Sequence, residues 1–234
     1  MGSRKIIALA AGLAVLCSAS MAQAQLIDFT VGNGGFTNQN LVGSNAWTWT
    51  AGQGWRVNGA SAPAGVRSRL LSPTLTTNQA NIAVVATHRF NFEQSVGGPC
   101  FDGGSIFQSI NGGAFGNINS GITGVGYTNV VSNVFSNPLA GLSVFCGASA
   151  GYANNLFVTT TLSNTGPVAL GTQIQLGLDG GWDDSLTNSN PNWQLVSLEL
   201  RGFGPSVVVP EPSTYALLAT GLLALGLVAR RRRA

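Results

Sequence analysis

Charge is nearly missing from this chain. Only 8% of its 234 residues are Asp, Glu, Lys or Arg, and it holds one histidine and three cysteines. Between the two termini no lysine occurs, and Arg56, Arg67, Arg69, Arg89 and Arg201 stand against Asp28, Glu93, Asp102, Asp179, Asp183, Asp184 and Glu199. A body with this slight acidic excess has no electrostatic footprint for nucleic acid. The single His88 leaves too few nitrogen and sulfur ligands for a zinc site, and it is the lone ordinary candidate for proton transfer near neutral pH. No amphipathic helix of useful length is readable before residue 213, which excludes helical bundles and alternating α/β layouts. The threonines of Thr159-Thr160-Thr161 do not recur at the regular spacing that a flat ice-binding face needs.

What is abundant is glycine, 32 of them, with many Asn, Ser and Thr. Between these turn formers lie short apolar or alternating runs of strand length. They are Leu26–Val31, Ala46–Thr50, Trp55–Val57, Ile82–Phe92, Ser105–Ile110, Leu142–Cys146, Leu156–Leu162, Thr172–Leu178 and Trp193–Arg201. In Thr87-His88-Arg89-Phe90-Asn91-Phe92 the alternation directs Phe90 and Phe92 to a core. Strict alternation in the last run groups Gln194, Val196, Leu198 and Leu200 on one face, with Leu195, Ser197, Glu199 and Arg201 on the other. Asn111-Gly112-Gly113 is a hairpin signal. The fold expected is an all-β sandwich.

Both ends read as addresses. Arg4 and Lys5, the apolar Ile6–Leu16 and the small-x-small Ala22-Gln23-Ala24 make residues 1–24 a secretory signal peptide, handled by the Sec translocon and signal peptidase. The body runs over 25–203 and a linker over 204–209. The region 210–234 carries Pro210-Glu211-Pro212, an uncharged helix over about 214–229, and Arg230, Arg231, Arg232 and Arg233. The two prolines hold Glu211 in an extended, accessible segment. At about 1.5 Å per residue the apolar run is slightly short of the ~30 Å hydrocarbon core, a deficit that snorkelling arginines and local thinning cover. The arginines act as a cytoplasmic membrane stop, so the body lies outside. Taken bare, this tail is a single-pass anchor.

Val209-Pro210-Glu211-Pro212-Ser213-Thr214, the Leu/Ala/Gly helix and the arginine end together resemble the PEP-CTERM sorting signal, also known as the ice-binding-protein C-terminal domain. Tyr215 stands where that family often has Trp. The resemblance implies an exosortase-type processing protease that recognises Pro210, Glu211 and Pro212. It further implies a membrane-inserted intermediate, and delivery to the cell surface or exopolysaccharide matrix of a Gram-negative bacterium. It does not imply ice binding.

The body carries a second likeness. Arg69-Leu70-Leu71-Ser72-Pro73-Thr74-Leu75, His88-Arg89-Phe90-Asn91-Phe92-Glu93, Phe101-Asp102-Gly103-Gly104-Ser105 through Asn111-Gly112-Gly113, and Trp193-Gln194-Leu195 occur in that order. Over roughly 67–201 this resembles the concanavalin/MAM-like jelly-roll modules of secreted bacterial proteins. The resemblance implies a jelly-roll sandwich that binds glycans or proteins, or serves as a spacer. The family's last strand has Ile-Asp-Asp after its Trp; Leu195-Val196-Ser197 stands there instead, so a metal site on that strand is not carried over.

Several residues are candidates for chemistry. Cys100 and Cys146 are isolated in an exported body and are expected to form a disulfide. Asp179-Gly180-Gly181-Trp182-Asp183-Asp184 is either a Ca²⁺-holding loop, with Asp179, Asp183 and Asp184 as ligands, or an Asx-rich turn. Glu93 and Asp102 are secondary candidates for the same ion. No other cofactor is implied. Trp47, Trp49 and Trp182 would either stack on sugar rings or close the core. Gly147-Ala148-Ser149-Ala150-Gly151 matches a nucleophile elbow, but the only histidine precedes it and no helix follows. The function expected is therefore that of a non-enzymatic exported protein with a structural or adhesive role. A carbohydrate-binding module is the alternative, and a secreted hydrolase the third reading.

Overall fold

The computed structural model describes residues 24–59, 65–184 and 191–204. The signal peptide, the linker after residue 204, Pro210–Pro212, the expected transmembrane helix and Arg230–Arg233 lie outside the described residues. Among the described residues no helix is long and apolar enough to cross a membrane.

Seventeen short strands carry the described chain. The first seven are β1 (Gln25–Asp28), β2 (Thr37–Val42), β3 (Thr48–Thr50), β4 (Gly54–Val57), β5 (Val66–Leu71), β6 (Leu75–Thr77) and β7 (Ala83–Phe92). Next come β8 (Gly103–Ile110), β9 (Gly116–Asn117), β10 (Ile122–Gly124), β11 (Asn129–Val130), β12 (Ser143–Val144) and β13 (Gly147–Ala148). The series ends with β14 (Val158–Ser163), β15 (Gln173–Trp182), β16 (Trp193–Arg201) and β17 (Phe203–Gly204). Every strand ladder is antiparallel. The first sheet runs β10-β14-β7-β16-β4-β3, with β1 beside the second half of β16 and β13 beside β7. The second is centred on β15, which pairs β8 on one side and β5 with β6 on the other; β9, β2 and β17 lie outside these.

The two sheets pack face to face as a β-sandwich. On β7 the alternation is complete: Val84, Ala86, His88, Phe90 and Phe92 are buried, as expected for the two phenylalanines. Trp182 of the second sheet meets Phe92 of the first at 6.1 Å between ring centroids. Trp193 fills the interior beside Phe145 at 5.7 Å. The Asp-Gly-Gly segment follows from this packing, since a Cβ on Gly104 would lie 2.7 Å from the Trp193 ring and one on Gly103 2.5 Å from Val144. The hairpin between β8 and β9 turns at Asn111 and Gly112, both at positive φ (50° and 73°), the signature of a type I′ turn.

Strict alternation fails on β16. The register against β7 jumps between Leu195 and Ser197. A bulge inserts one unpaired residue and reverses the phase of the side chains. Trp193 and Leu195 are therefore buried before it, and Leu198 and Leu200 after it. The carbonyl of Val196 accepts the Phe29 backbone N–H at 2.8 Å, at the place where β1 takes over from β4 as the neighbour of β16.

Candidate metal centre

Asp179 is not in a loop. Strand β15 continues to Trp182, with Asp179 opposite Arg69 of β5 and Ser105 of β8. Leu178 and Trp182 point to the interior, so Asp179 lies on the other face. It is nonetheless fully buried, because two guanidiniums close over it. Arg69 Nε donates to Oδ1 at 2.6 Å and its Nη2 to Oδ2 at 2.8 Å; Arg67 Nε and Nη2 donate to Oδ2 at 2.8 and 2.5 Å. Arg67 stacks 4.6 Å from the Phe107 ring centroid and Arg69 3.9 Å from that of Phe115. This carboxylate is consumed by arginines, and the expectation that Asp179 ligates a cation is corrected.

Asp183 and Asp184 have a different partner. They follow β15 where it leaves the second sheet, and Glu93 follows β7 where it leaves the first. One carboxylate oxygen from each of Glu93, Asp183 and Asp184 lies within 4.8 Å of the others. Asp102, the residue before β8, lies beside this trio but outside the set whose oxygens all fall within 4.8 Å of one another. Its backbone N–H and that of Phe101 donate to the Glu93 carbonyl at 3.2 and 3.1 Å, which ties the two segments together. The Asp102 side chain is fully buried; Oδ1 accepts the Asp183 backbone N–H at 3.1 Å, and among the described residues Oδ2 has no donor. Burial, and then the negative charges of Asp183, Glu93 and Asp184, push the Asp102 carboxyl up to about 9. Burial and neighbouring aspartates also raise Glu93 and Asp183. Oxygen donors gathered this way are the set a hard cation takes. Glu93 and Asp102, the secondary candidates from sequence, are thus the residues the structure brings to Asp183 and Asp184.

The tryptophans close the core. Trp47 and Trp182 are buried, with Trp47 packed at 5.4 Å on Trp193. Trp49 is half-buried, and its Nε1 donates to the Phe29 carbonyl at 2.7 Å. Read from sequence either as sugar-stacking or as core-closing, these indoles lie on the core side: Trp49 of the terminal strand β3 and Trp47 just before it cover the side of the sandwich, and Trp182 of β15 packs between the sheets.

His88 is sealed by a complete relay. Trp193 Nε1 donates to His88 Nδ1 at 2.9 Å, so Nε2 carries the proton and donates to Thr160 Oγ1 at 2.8 Å. Thr160 Oγ1 in turn donates to the Val125 carbonyl. Burial of the ring pulls its pKa down to about 3. The unfolded chain takes up this proton near pH 6.5, whereas the folded chain resists until about 3. Stability from neutral His88 is thus complete above pH 6.5 and is lost as pH falls through that window. Guanidinium titrations at pH 7 and pH 4 are expected to show about 1 kcal/mol lost per pH unit in the wild type relative to a folded His88→Gln variant. Equal losses in both proteins would refute the assignment.

Ser149 has no base. Its Oγ accepts the Phe90 backbone N–H at 3.1 Å, and a single 3₁₀ turn, Tyr152–Asn154, follows instead of a helix. Cys100 and Cys146 form a disulfide with a Cα–Cα distance of 6.0 Å.

Residues 208–233 match the family of the PEP-CTERM protein-sorting motif. That motif implies an exported protein directed to the cell envelope, with exosortase as its processing partner. No curated protein matches the chain.

Proposed function

We propose that residues 25–203 are a non-enzymatic jelly-roll module that the C-terminal signal delivers to the cell surface or exopolysaccharide matrix of a Gram-negative bacterium, where it serves a structural or adhesive role. The observation that carries this reading is the sorting-motif match at residues 208–233. Pro210-Glu211-Pro212 is the processing determinant, presented next to the membrane by an apolar run that four arginines stop at the cytoplasmic face. Exosortase cuts near this motif, and the helix and arginines stay behind.

The sealed His88 and the base-free Ser149 support the absence of catalysis, because nucleophilic or acid–base turnover needs a positioned proton acceptor beside the reacting group. The neutral, amide- and hydroxyl-rich exterior suits contact with uncharged polymer. Mass spectrometry of protein released from an exosortase-positive host is expected to show the chain without its helix and arginines. That product is expected to hydrolyse no ester, peptide or polysaccharide. Release of only full-length chain reduces the tail to an anchor, and hydrolysis lost in a folded Ser149→Ala variant makes the body an enzyme.

A further inference from the structure

We propose that Glu93, Asp102, Asp183 and Asp184 form a calcium site that clamps the two sheets of the sandwich together at one end. Two independent observations carry it. The first is the convergence of three half-buried carboxylates from different sheets, Glu93 after β7 and the Asp183-Asp184 pair after β15, with oxygens within 4.8 Å of one another. The second is Asp102. A fully buried carboxylate normally has every oxygen hydrogen-bonded, yet among the described residues its Oδ2 has no donor. Its other oxygen is held by the Asp183 N–H, and the carboxyl lies within hydrogen-bonding reach of the Asp183 side chain, a second acid that offers no donor unless one of the two holds a proton. The orphaned oxygen therefore belongs to the acidic cluster and not to the apolar core.

The chemistry selects the ion. All the side-chain donors are hard carboxylate oxygens, with no sulfur or imidazole among the four residues, which suits Ca²⁺ and disfavours soft transition metals. Asp183 and Asp184 are adjacent on an irregular segment, and Ca²⁺ tolerates irregular, mixed mono- and bidentate geometry better than Mg²⁺ does. Gathered without a cation, Glu93, Asp183 and Asp184 repel one another; a divalent ion converts that repulsion into attraction and supplies a partner for the Asp102 oxygen. The disulfide partner Cys100 lies two residues before Asp102, so the covalent and ionic clamps act on the same segment between β7 and β8.

The test uses the full-length chain purified in detergent and stripped with EDTA. Adding CaCl₂ is expected to raise the melting temperature in a saturable way, by about 5–10 °C at a hundredfold excess over Kd. Terbium ions are expected to bind with luminescence sensitised through Trp182, the neighbour of Asp183, and to be displaced by Ca²⁺. Asp102→Asn keeps an acceptor for the Asp183 N–H, so it is expected to fold; Asp102→Asn and Glu93→Gln each remove the calcium response, while Asp28→Asn, at a remote exposed acid, keeps it. A melting curve unmoved by Ca²⁺, or a calcium response that persists in both Asp102→Asn and Glu93→Gln, overturns the proposal.

Discussion

Asp179→Ala is expected to destabilise the body by about 3–5 kcal/mol, the cost of breaking a buried ion pair from one side. The carboxylate holds four hydrogen bonds from two guanidiniums, and Arg69 is only 5% exposed. Removing it leaves Arg69 as a buried cation between β5 and β15, with Phe107 and Phe115 to offer only the weaker attraction of their ring faces. Arg67 is less affected, since a fifth of its side chain reaches water. The pair is not valuable in itself, because apolar replacement of a buried ion pair is often neutral. An Arg69→Met/Asp179→Leu double variant is therefore expected to recover most of the loss. Guanidinium denaturation at pH 7 with unchanged m-values checks both. A loss under 1 kcal/mol in Asp179→Ala would mean that water reaches the triad.

The Cys100–Cys146 disulfide is expected to contribute about 4 kcal/mol, from the chain entropy of a loop with sequence separation 46. Cys100 is bridged to Gln94 and Val131, while Cys146 precedes β13, which pairs with the end of β7. The backbone N–H of Cys146 donates to Thr128 Oγ1 at 2.8 Å. The bond thus ties the β7–β8 segment to the excursion between β9 and β14, which has only two-residue strands β11, β12 and β13 of its own beyond the short β10. Non-reducing peptide mapping of exported protein is expected to recover the linked pair. The Cys100→Ser/Cys146→Ser variant is expected to melt well below the wild type, with the wild type matching it under reducing conditions. Two free thiols in exported, folded protein would refute the link.

These losses are large against the ~5–15 kcal/mol stability of a typical domain. Both fall on the few charged or reactive side chains of a body that has very few of them.

The strand content, the inward-facing Phe90 and Phe92, the Asn111-Gly112 hairpin and the Cys100–Cys146 pairing were legible in the sequence. Each rests on information within a few residues, or on the elimination of every other partner. The sorting signal at 208–233 was legible for the same reason, being a contiguous motif. The assignments that needed tertiary structure all concern which face, or which partner, a residue meets. An unpaired residue at Val196 shifts the phase of β16, and no local pattern announces it. The Asp179-to-Asp184 cluster reads as one acidic loop, but the chain is still a strand through Trp182. Alternation and cross-strand register hand Asp179 to Arg69 of β5, while the strand's end delivers Asp183 and Asp184 to Glu93 and Asp102. Indoles at Trp47 and Trp182 look alike in sequence whether they cover a core or bind a ligand, and only the opposing sheet buries them. The sequence by itself determined that this protein carries an export-sorting motif and is built of strands, because targeting motifs and alternation are local. Only the tertiary structure decided which carboxylates meet arginines and which meet one another, because those partners come from strands as far apart as β5 and β15.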